Sequence, residues 1–304
     1  MDLRHLRSFV VLAEELHFGR AAQRLGLSQP PLSQQIQALE NDIGGPLLAR
    51  TSRRVELTEA GRLFLPEARA VLARMGQAMQ VGQRAARGEV GELRIGFTAS
   101  APLANIMPAL IHAFRQARPA VHLTLQEMLS TQQMQALRDN ALDVAFLRAP
   151  ADPTAADDSV TAVELHREEL LLFLHANHRL AQTPPEARIQ LAELAGDPFV
   201  HFSAETGAST SEQFYALCRD AGFRPRISQE AREAITIIGL VAADLGVSLM
   251  ASSFRSINLP HVVTRRLAEP VPHLTTWLAH RAGDGSAVVK AFLDLAQRRV
   301  DGRG

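Results

Sequence analysis

Residues 18–40, FGRAAQRLGLSQPPLSQQIQALE, set an Ala-rich segment and a Gln-rich segment on either side of a single glycine. The first reads as a short helix from Phe18 to Leu25. Gly26 then gives the chain a residue that tolerates positive φ, and Ser28 is placed to cap a second helix. Pro30 and Pro31 fit the first turn of that helix, where missing N–H groups cost little. Leu32, Ile36 and Leu39 form its buried stripe, which leaves Gln29, Ser33, Gln34 and Gln37 outward. Glu and Lys would satisfy solubility alone. Gln and Ser instead carry donors and acceptors on short side chains, the groups that read base edges in a major groove. Taken by themselves, the two segments also fit a plain three-helix bundle with a polar face.

The flanking sequence narrows the choice. Upstream, Leu3, Leu6, Phe9, Val10, Ala13 and Leu16 follow the helical period and predict a helix over about 2–16. Downstream, GGPLLARTSRRVELTEAG places turn glycines, then Leu47 and Leu48, then Arg50, Arg53 and Arg54, then a β-branched run ending at Leu57. This predicts a short two-stranded wing with an arginine tip. Thr58 and Glu59 open a further helix to about Arg87. Within it Leu65, Ala68, Leu72, Met75, Met79, Gly82 and Ala86 alternate three- and four-residue steps, a coiled-coil seam that needs another domain or another chain to bury it. Pro66 lies beyond the first turn and predicts a bend or a late effective start. ARGEVGEL, 86–93, serves as a linker.

Composition bounds the rest. With 304 residues, 46% hydrophobic and 21% charged, the chain has globular composition and room for two or three domains. Its first turn is charged and no apolar segment precedes a cleavage site, so neither a signal peptide nor a membrane span is expected and a cytoplasmic location is. Charge is balanced overall, but residues 1–87 hold 12 arginines and 8 acids against 20 bases and 24 acids in the remainder. A basic front end hints at a polyanionic partner. The single cysteine, Cys218, excludes an internal disulfide and a Cys-based zinc site, and its place in SEQFYALCRD suits helix packing.

Beyond residue 92 strands alternate with helices, the texture of an α/β domain. The expected strands are 93–97, 122–127, 144–147, 170–175, 199–202, 247–250, 262–267 and 275–280. The Pro- and Asp-rich LRAPADPTAADDSV separates a first half from a second, and VVTRRLAEPVPHL forms the return. Two crossings imply two subdomains with a cleft between them.

Two strand ends carry candidate anion sites. GFTASAPLANIM ends a strand at Phe97 and opens a helix at Pro102, with Thr98 and Ser100 as extra donors. EMLSTQQM repeats the design with Ser130 and Thr131. Taken singly, each reads as an ordinary N-cap, but two such termini at neighbouring strand ends in an open α/β sheet lie where ligands bind. Arg148 follows the apolar DVAFL at the same edge, suited either to a ligand carboxylate or to an ion pair with an acid such as Asp152. Phe202 and Ser203 end a strand in the second half and would face the first. Among the eleven histidines, His175 and His178 lack further ligands at metal-site spacing and read as solvated or capping residues. No phosphate loop, nucleophile elbow or metalloprotease motif is present, so no catalytic constellation and no cofactor is expected.

In this order, the leading helix, FGRAAQRLGLSQPPLSQQIQALE, GGPLLARTSRRVELTEAG and the long helix closely resemble the LysR-type transcriptional regulators, and the C-terminal pattern is similar to their effector-binding domain. The resemblance spans the whole chain. It implies an α plus α/β protein: a winged helix-turn-helix over 1–58, a linker dimerisation helix over 59–87 and a hinge at 88–91. A periplasmic-binding-protein-like effector domain would come next, with one subdomain at 92–163 and 267–304 and the other at 164–266. It further implies a dimer, paired into a homotetramer, on double-stranded promoter DNA, with RNA polymerase as a further partner and no membrane. Gln29, Pro30, Pro31, Ser33, Gln34 and Gln37 would lie on the groove-facing helix, with Arg50, Arg53 and Arg54 on phosphates or a minor groove. Relatives commonly carry Arg where this chain has Gln34, which bears on base preference and phosphate grip.

Leu65, Leu72, Met75 and Met79 would join the dimer. Thr98, Ser100, Ser130, Thr131, Arg148, Phe202 and Ser203 would line the effector cleft. EELHFGRAA, SQPPLS, Glu127-Met128 and GLVAADLGVSL look most like the branch that governs aromatic-ring degradation through muconate-like dicarboxylates, although Leu129 stands where that branch usually has glycine. A small carboxylate, aromatic-derived or dicarboxylic, is the expected effector. Two rivals remain: a solute receptor, for which residues 1–87 are superfluous, and an enzyme, for which Glu127 and Asp143 are the only available acid/base pair.

Overall fold

The computed structural model describes residues 2–50, 54–203 and 208–302, the side chains of residues 208 and 209 excepted. Its contacts divide into two compact units, one ending at Arg84 and one beginning at Ala85.

The first unit opens with α1 (Leu3–Glu15), α2 (Phe18–Leu25) and α3 (Gln29–Ile43). Leu6, Phe9 and Leu12, then Ala21 and Ala22, then Leu32, Ile36 and Leu39 bury one stripe of each helix in a common core. Gly26 and Gly44 end α2 and α3 in the left-handed region. Ser28 makes no side-chain cap. The N–H groups it would accept from belong to Pro30 and Pro31, which have none. The wing comes next as an antiparallel pair, β1 (Leu48–Arg50) and β2 (Val55–Leu57). Then α4 runs unbroken from Glu59 to Ala86, through Pro66, without the late start that the proline predicts. Gly61 is required: a Cβ there would lie 2.1 Å from the Leu47 carbonyl oxygen.

The second unit is built on one mixed sheet. Its strands are β3 (Gly91–Phe97), β4 (Val121–Glu127), β5 (Val144–Ala149), β6 (Val160–His175) and β7 (Arg188–Ile189), with α5 (Ile106–Ala117) and α6 (Ser130–Arg138) between the early ones. After β8 (Pro198–Phe202) come α7 (Ala208–Asp220), β9 (Arg226–Ala231), α8 (Ala234–Ala242), β10 (Ser248–Ala251), β11 (Val262–Leu267), β12 (His273–Arg281) and α9 (Ala287–Val300). The strand order is β4-β3-β5-β12-β6-β11-β7; β10 also pairs with β6, and β8 pairs with β9.

The two halves are joined inside β6. Residues 160–169 pair with β12 in the first half, and residues 170–175 pair with β10 and β11 in the second. The apolar run alone starts this strand at Leu170, whereas the strand itself begins ten residues earlier. One core lies between α5, α9 and the first-half sheet, where Phe114 and Phe292 meet edge to face at 5.1 Å. The other half packs Leu172, Leu174, Phe199 and Phe214 on one side and Phe173, Ile237 and Met250 on another. Cys218 belongs to that packing; burial pushes its thiol up to about 12, which leaves no thiolate for chemistry. No helix among the described residues is long and apolar enough to cross a membrane.

Candidate nucleic-acid interface and ligand cleft

On α3 the apolar stripe turns Leu32, Ile36 and Leu39 fully inward, and the remaining face is polar. Gln29, Pro30, Gln34 and Gln37 are exposed, while Pro31 and Ser33 are half-buried. Gln37 donates to the Asn41 side chain at 3.1 Å. Gln35, between the outward positions, accepts at 2.5 Å from the hydroxyl of Ser8, which is buried on α1. The buried stripe sets the rotation of α3 about its axis and hence which glutamines face out, and this bond ties that helix to α1.

Glu40 is the residue that sequence reasoning misses. It is buried, its Oε1 accepts from the backbone N–H groups of Leu47 and Leu48 at 2.9 and 3.1 Å, and its Oε2 accepts from Arg50 at 2.6 Å. The Arg50 guanidinium also lies 5.3 Å above the Phe18 ring. Arg50 therefore points back into the domain and holds the base of the wing, instead of reaching outward from its tip. A signal for Glu40 exists in the sequence: it is an acid four residues after Ile36, beside the apolar stripe. Arg54 is exposed, with its guanidinium 3.3 Å from Glu56. Arg53 lies outside the described residues.

The four seam residues of α4 divide. Leu65 and Leu72 are half-buried against the first unit's own core, together with Phe64 and buried Ala68. Met75 and Met79 continue the same stripe beyond that core and are exposed, as are Val71 and Val81. Arg69 and Arg24 both hold Glu14, tying α4 and α2 to α1.

In the second unit a cleft of about 860 Å³ lies among the ends of β3, β5 and β8. Thr98, Ser100, Ser130, Thr131, Arg148 and Phe202 all line it; Ser203 does not, and its backbone N–H donates to Ala231 instead. Pro102 opens only a four-residue 3-10 turn, Ala101–Ala104, and α5 begins later, at Ile106, so no long helix terminus stands behind Ser100. The second terminus is as expected: α6 starts at Ser130, and Gln132 accepts from the Leu129 N–H at 3.0 Å. Thr210, Glu212 and Gln213 of α7, with Asp152, Phe254 and Leu274, are among its other walls.

Arg148 is 5% exposed and pairs at 2.5 Å with Glu168 of β6, not with Asp152. Asp152 accepts from Thr154 instead. The other Glu168 oxygen accepts from the Ser253 N–H at 2.7 Å and the Ser252 hydroxyl at 3.3 Å. Burial lowers the arginine's pKa while the charge and hydrogen bond of Glu168 act against it. Among the described residues its Nε and Nη1 have no acceptor. The cleft wall thus holds a desolvated guanidinium, fixed by Glu168, with two nitrogens that lack an acceptor among the described residues.

Neither candidate acid/base residue has that role here. Asp143 accepts from the Arg94 backbone and guanidinium at 2.7–3.0 Å and from Arg281, tying β3, β5 and β12 together. Its burial raises the pKa, but these bonds outweigh it and the net shift is downward, so it stays ionised. Glu127 is exposed at the end of β4. His175 and His178 accept from the N–H groups of Asn177 and Leu180 as turn caps.

Residues 3–62 match the bacterial regulatory helix-turn-helix protein, lysR family, and residues 86–301 match the LysR substrate binding domain. The chain is 44% identical, over 91% of each chain, to an Escherichia coli (strain K12) protein named as an uncharacterized HTH-type transcriptional regulator, YnfL. It is 37% identical to the HTH-type transcriptional regulator AlsR of Bacillus subtilis (strain 168), covering 97% of this chain and 95% of AlsR. Its structure is similar to that of full-length CbnR complexed with its target DNA, with a TM-score of 0.78 and 28% identity over 99% of this chain and 100% of CbnR.

Proposed function

The chain belongs to the LysR family of DNA-binding transcriptional regulators with an effector-binding domain, and from that premise we propose that its effector is a small carboxylate, aromatic-derived or dicarboxylic, held by Arg148. The protein is a regulator, not an enzyme. One observation supports the carboxylate above others: a buried guanidinium in the cleft wall keeps N–H donors without acceptors, among the described residues, after its ion pair with Glu168 is made. Ser130 and Thr131 at the start of α6 add hydroxyls and a positive helix terminus to the same wall.

On the DNA side, Gln29, Ser33, Gln34 and Gln37 read base edges, with Pro30 and Pro31 in van der Waals contact at the groove. Arg53 and Arg54 take phosphates. Two copies join through the exposed part of α4, and two dimers pair. Acid binding acts only through its differential affinity for two arrangements of the assembly.

The test is binding of the full-length protein to the intergenic DNA beside its own gene, with benzoate, muconate and succinate added in turn. A footprint that shortens or shifts with one acid is expected, together with loss of that response in the double variant Arg148→Met/Glu168→Leu. That pair removes the guanidinium without stranding a buried carboxylate. A response that survives in the variant makes Arg148 structural and removes the basis of the reading.

A further inference from the structure

One of the buried polar groups that the carboxylate site does not use lies close to the cleft. His201, on β8, is 3% exposed, and among the described residues neither ring nitrogen has a hydrogen-bond partner. Its ring stacks on Phe214 of α7, with centroids 4.1 Å apart and planes 22° apart. A phenyl ring would make that stack equally well. The imidazole adds two buried, unsatisfied polar atoms, which count against the fold, so stacking does not explain a histidine at this position.

Beside the ring lies a cavity of about 30 Å³. Four of its walls, Phe202, Thr210, Phe254 and Leu274, are also walls of the larger cleft. The volume exceeds the roughly 10–15 Å³ that one water-sized group requires. Burial holds the imidazole neutral, its pKa pushed down to about 4, so near pH 7 it offers one N–H donor and one bare nitrogen acceptor. A hydroxyl, which both donates and accepts, matches either nitrogen.

We propose that this cavity is an inner subsite of the effector cleft, where His201 hydrogen-bonds a hydroxyl group of the ligand, so that the protein selects a hydroxylated carboxylic acid over its plain counterpart. This rests on the carboxylate reading above: Arg148 takes the charge and His201 takes the hydroxyl. A plain acid of the same shape leaves the imidazole as unpaired as before, and sites built to bond a hydroxyl discriminate strongly against analogues that lack it.

The experiment is calorimetry on the full-length protein with two pairs of acids, benzoate with 3-hydroxybenzoate and succinate with malate. In one pair or both, the hydroxy acid binds about tenfold or more tightly than its partner, and His201→Phe, which keeps the stack on Phe214, brings the two within about twofold without weakening the plain acid. A second measurement is independent of any variant: the nitrogen resonances of the His201 ring in the wild-type protein shift with the hydroxy acid and not with the plain one. Equal affinities within both pairs, or an undiminished preference in His201→Phe with unmoved ring resonances, overturns the subsite. If plain acids bind and depend on Arg148 while no hydroxyl preference exists, the subsite alone falls. If none of the four acids binds, the carboxylate reading falls with it.

Discussion

At the scale of single residues, one buried charged side chain, Arg148, stands in the wall of the cleft. Arg148 is legible as a cleft residue because it ends an apolar strand. Its partner is not, since Glu168 is twenty residues away and is brought opposite only by the pairing of β6 and β5 with β12. The ion pair is almost fully buried, so its two halves protect each other. Arg148→Met alone leaves a desolvated carboxylate and costs about 3–5 kcal/mol, whereas Arg148→Met/Glu168→Leu costs less than that single change. Urea unfolding of the four members of the cycle measures this, and simple additivity of the two single effects would show that the charges do not interact.

His201 sets a pH dependence. Its pKa is about 4 in the fold against about 6.5 in an unfolded chain, so between those values the unfolded state binds the proton and the native state does not. The stability associated with the neutral ring is complete above pH 6.5 and is lost as pH falls toward 4, by about 3 kcal/mol in total. His201→Phe should flatten the stability profile over that window relative to the wild type. Parallel profiles for the two proteins would mean that the ring titrates normally.

At the scale of elements, the first helices are the easiest to read, because α1 and α3 each bury an apolar stripe at three- and four-residue steps; α2 has the bounds predicted from sequence. The first ten residues of β6, VTAVELHREE, escape because six of them are charged or polar and their strand partner, β12, lies far along the chain. β9, RISQEA, escapes for the same reason: its lone parallel partner is β8, and its own residues show no apolar alternation.

The wing is legible as a pair of strands, but the group that fixes it is not. Glu40 satisfies two backbone N–H groups of the wing and one arginine at once, so Glu40→Ala should cost about 2–3 kcal/mol and weaken DNA binding through a displaced wing. Thermal unfolding and a DNA titration test the two halves of that statement, and an unchanged melting temperature contradicts it. Arg54 behaves differently. Arg54 is exposed, and an exposed pair such as the one it makes with Glu56 contributes about 0–1 kcal/mol. Arg53→Gln/Arg54→Gln should weaken binding to all sequences alike and reduce the slope of log affinity against log salt by about 0.9 for each phosphate that is no longer neutralised. A slope that stays constant places both side chains away from the backbone.

At the scale of the whole molecule, the question is what covers the second half of α4. One helix stripe has two assignments along its length: Leu65, Ala68 and Leu72 fill the core of the first unit, and the same stripe then carries Met75 and Met79 into solvent, with Val71 and Val81 exposed on the same helix. Periodicity reveals the stripe but does not locate the change, because the pattern is continuous across it. The apolar continuation is what a second copy of the helix would bury, and methionine, unbranched and adaptable, suits a seam between identical chains. Two reading heads on one DNA site gain from that connection by effective concentration, commonly about 10²–10⁴ in affinity with no new DNA contact. Met75→Glu/Met79→Glu places four like charges across such a seam. The variant should sediment as a smaller species and lose about 100-fold or more in affinity for the intergenic site, while its acid binding stays within about twofold of wild type because the cleft lies wholly in the second unit. Retained assembly size in the variant would move the contact to another surface. Smaller size with unchanged DNA affinity would mean that a single head is sufficient, and the paired half-sites expected for a dimer would no longer be required.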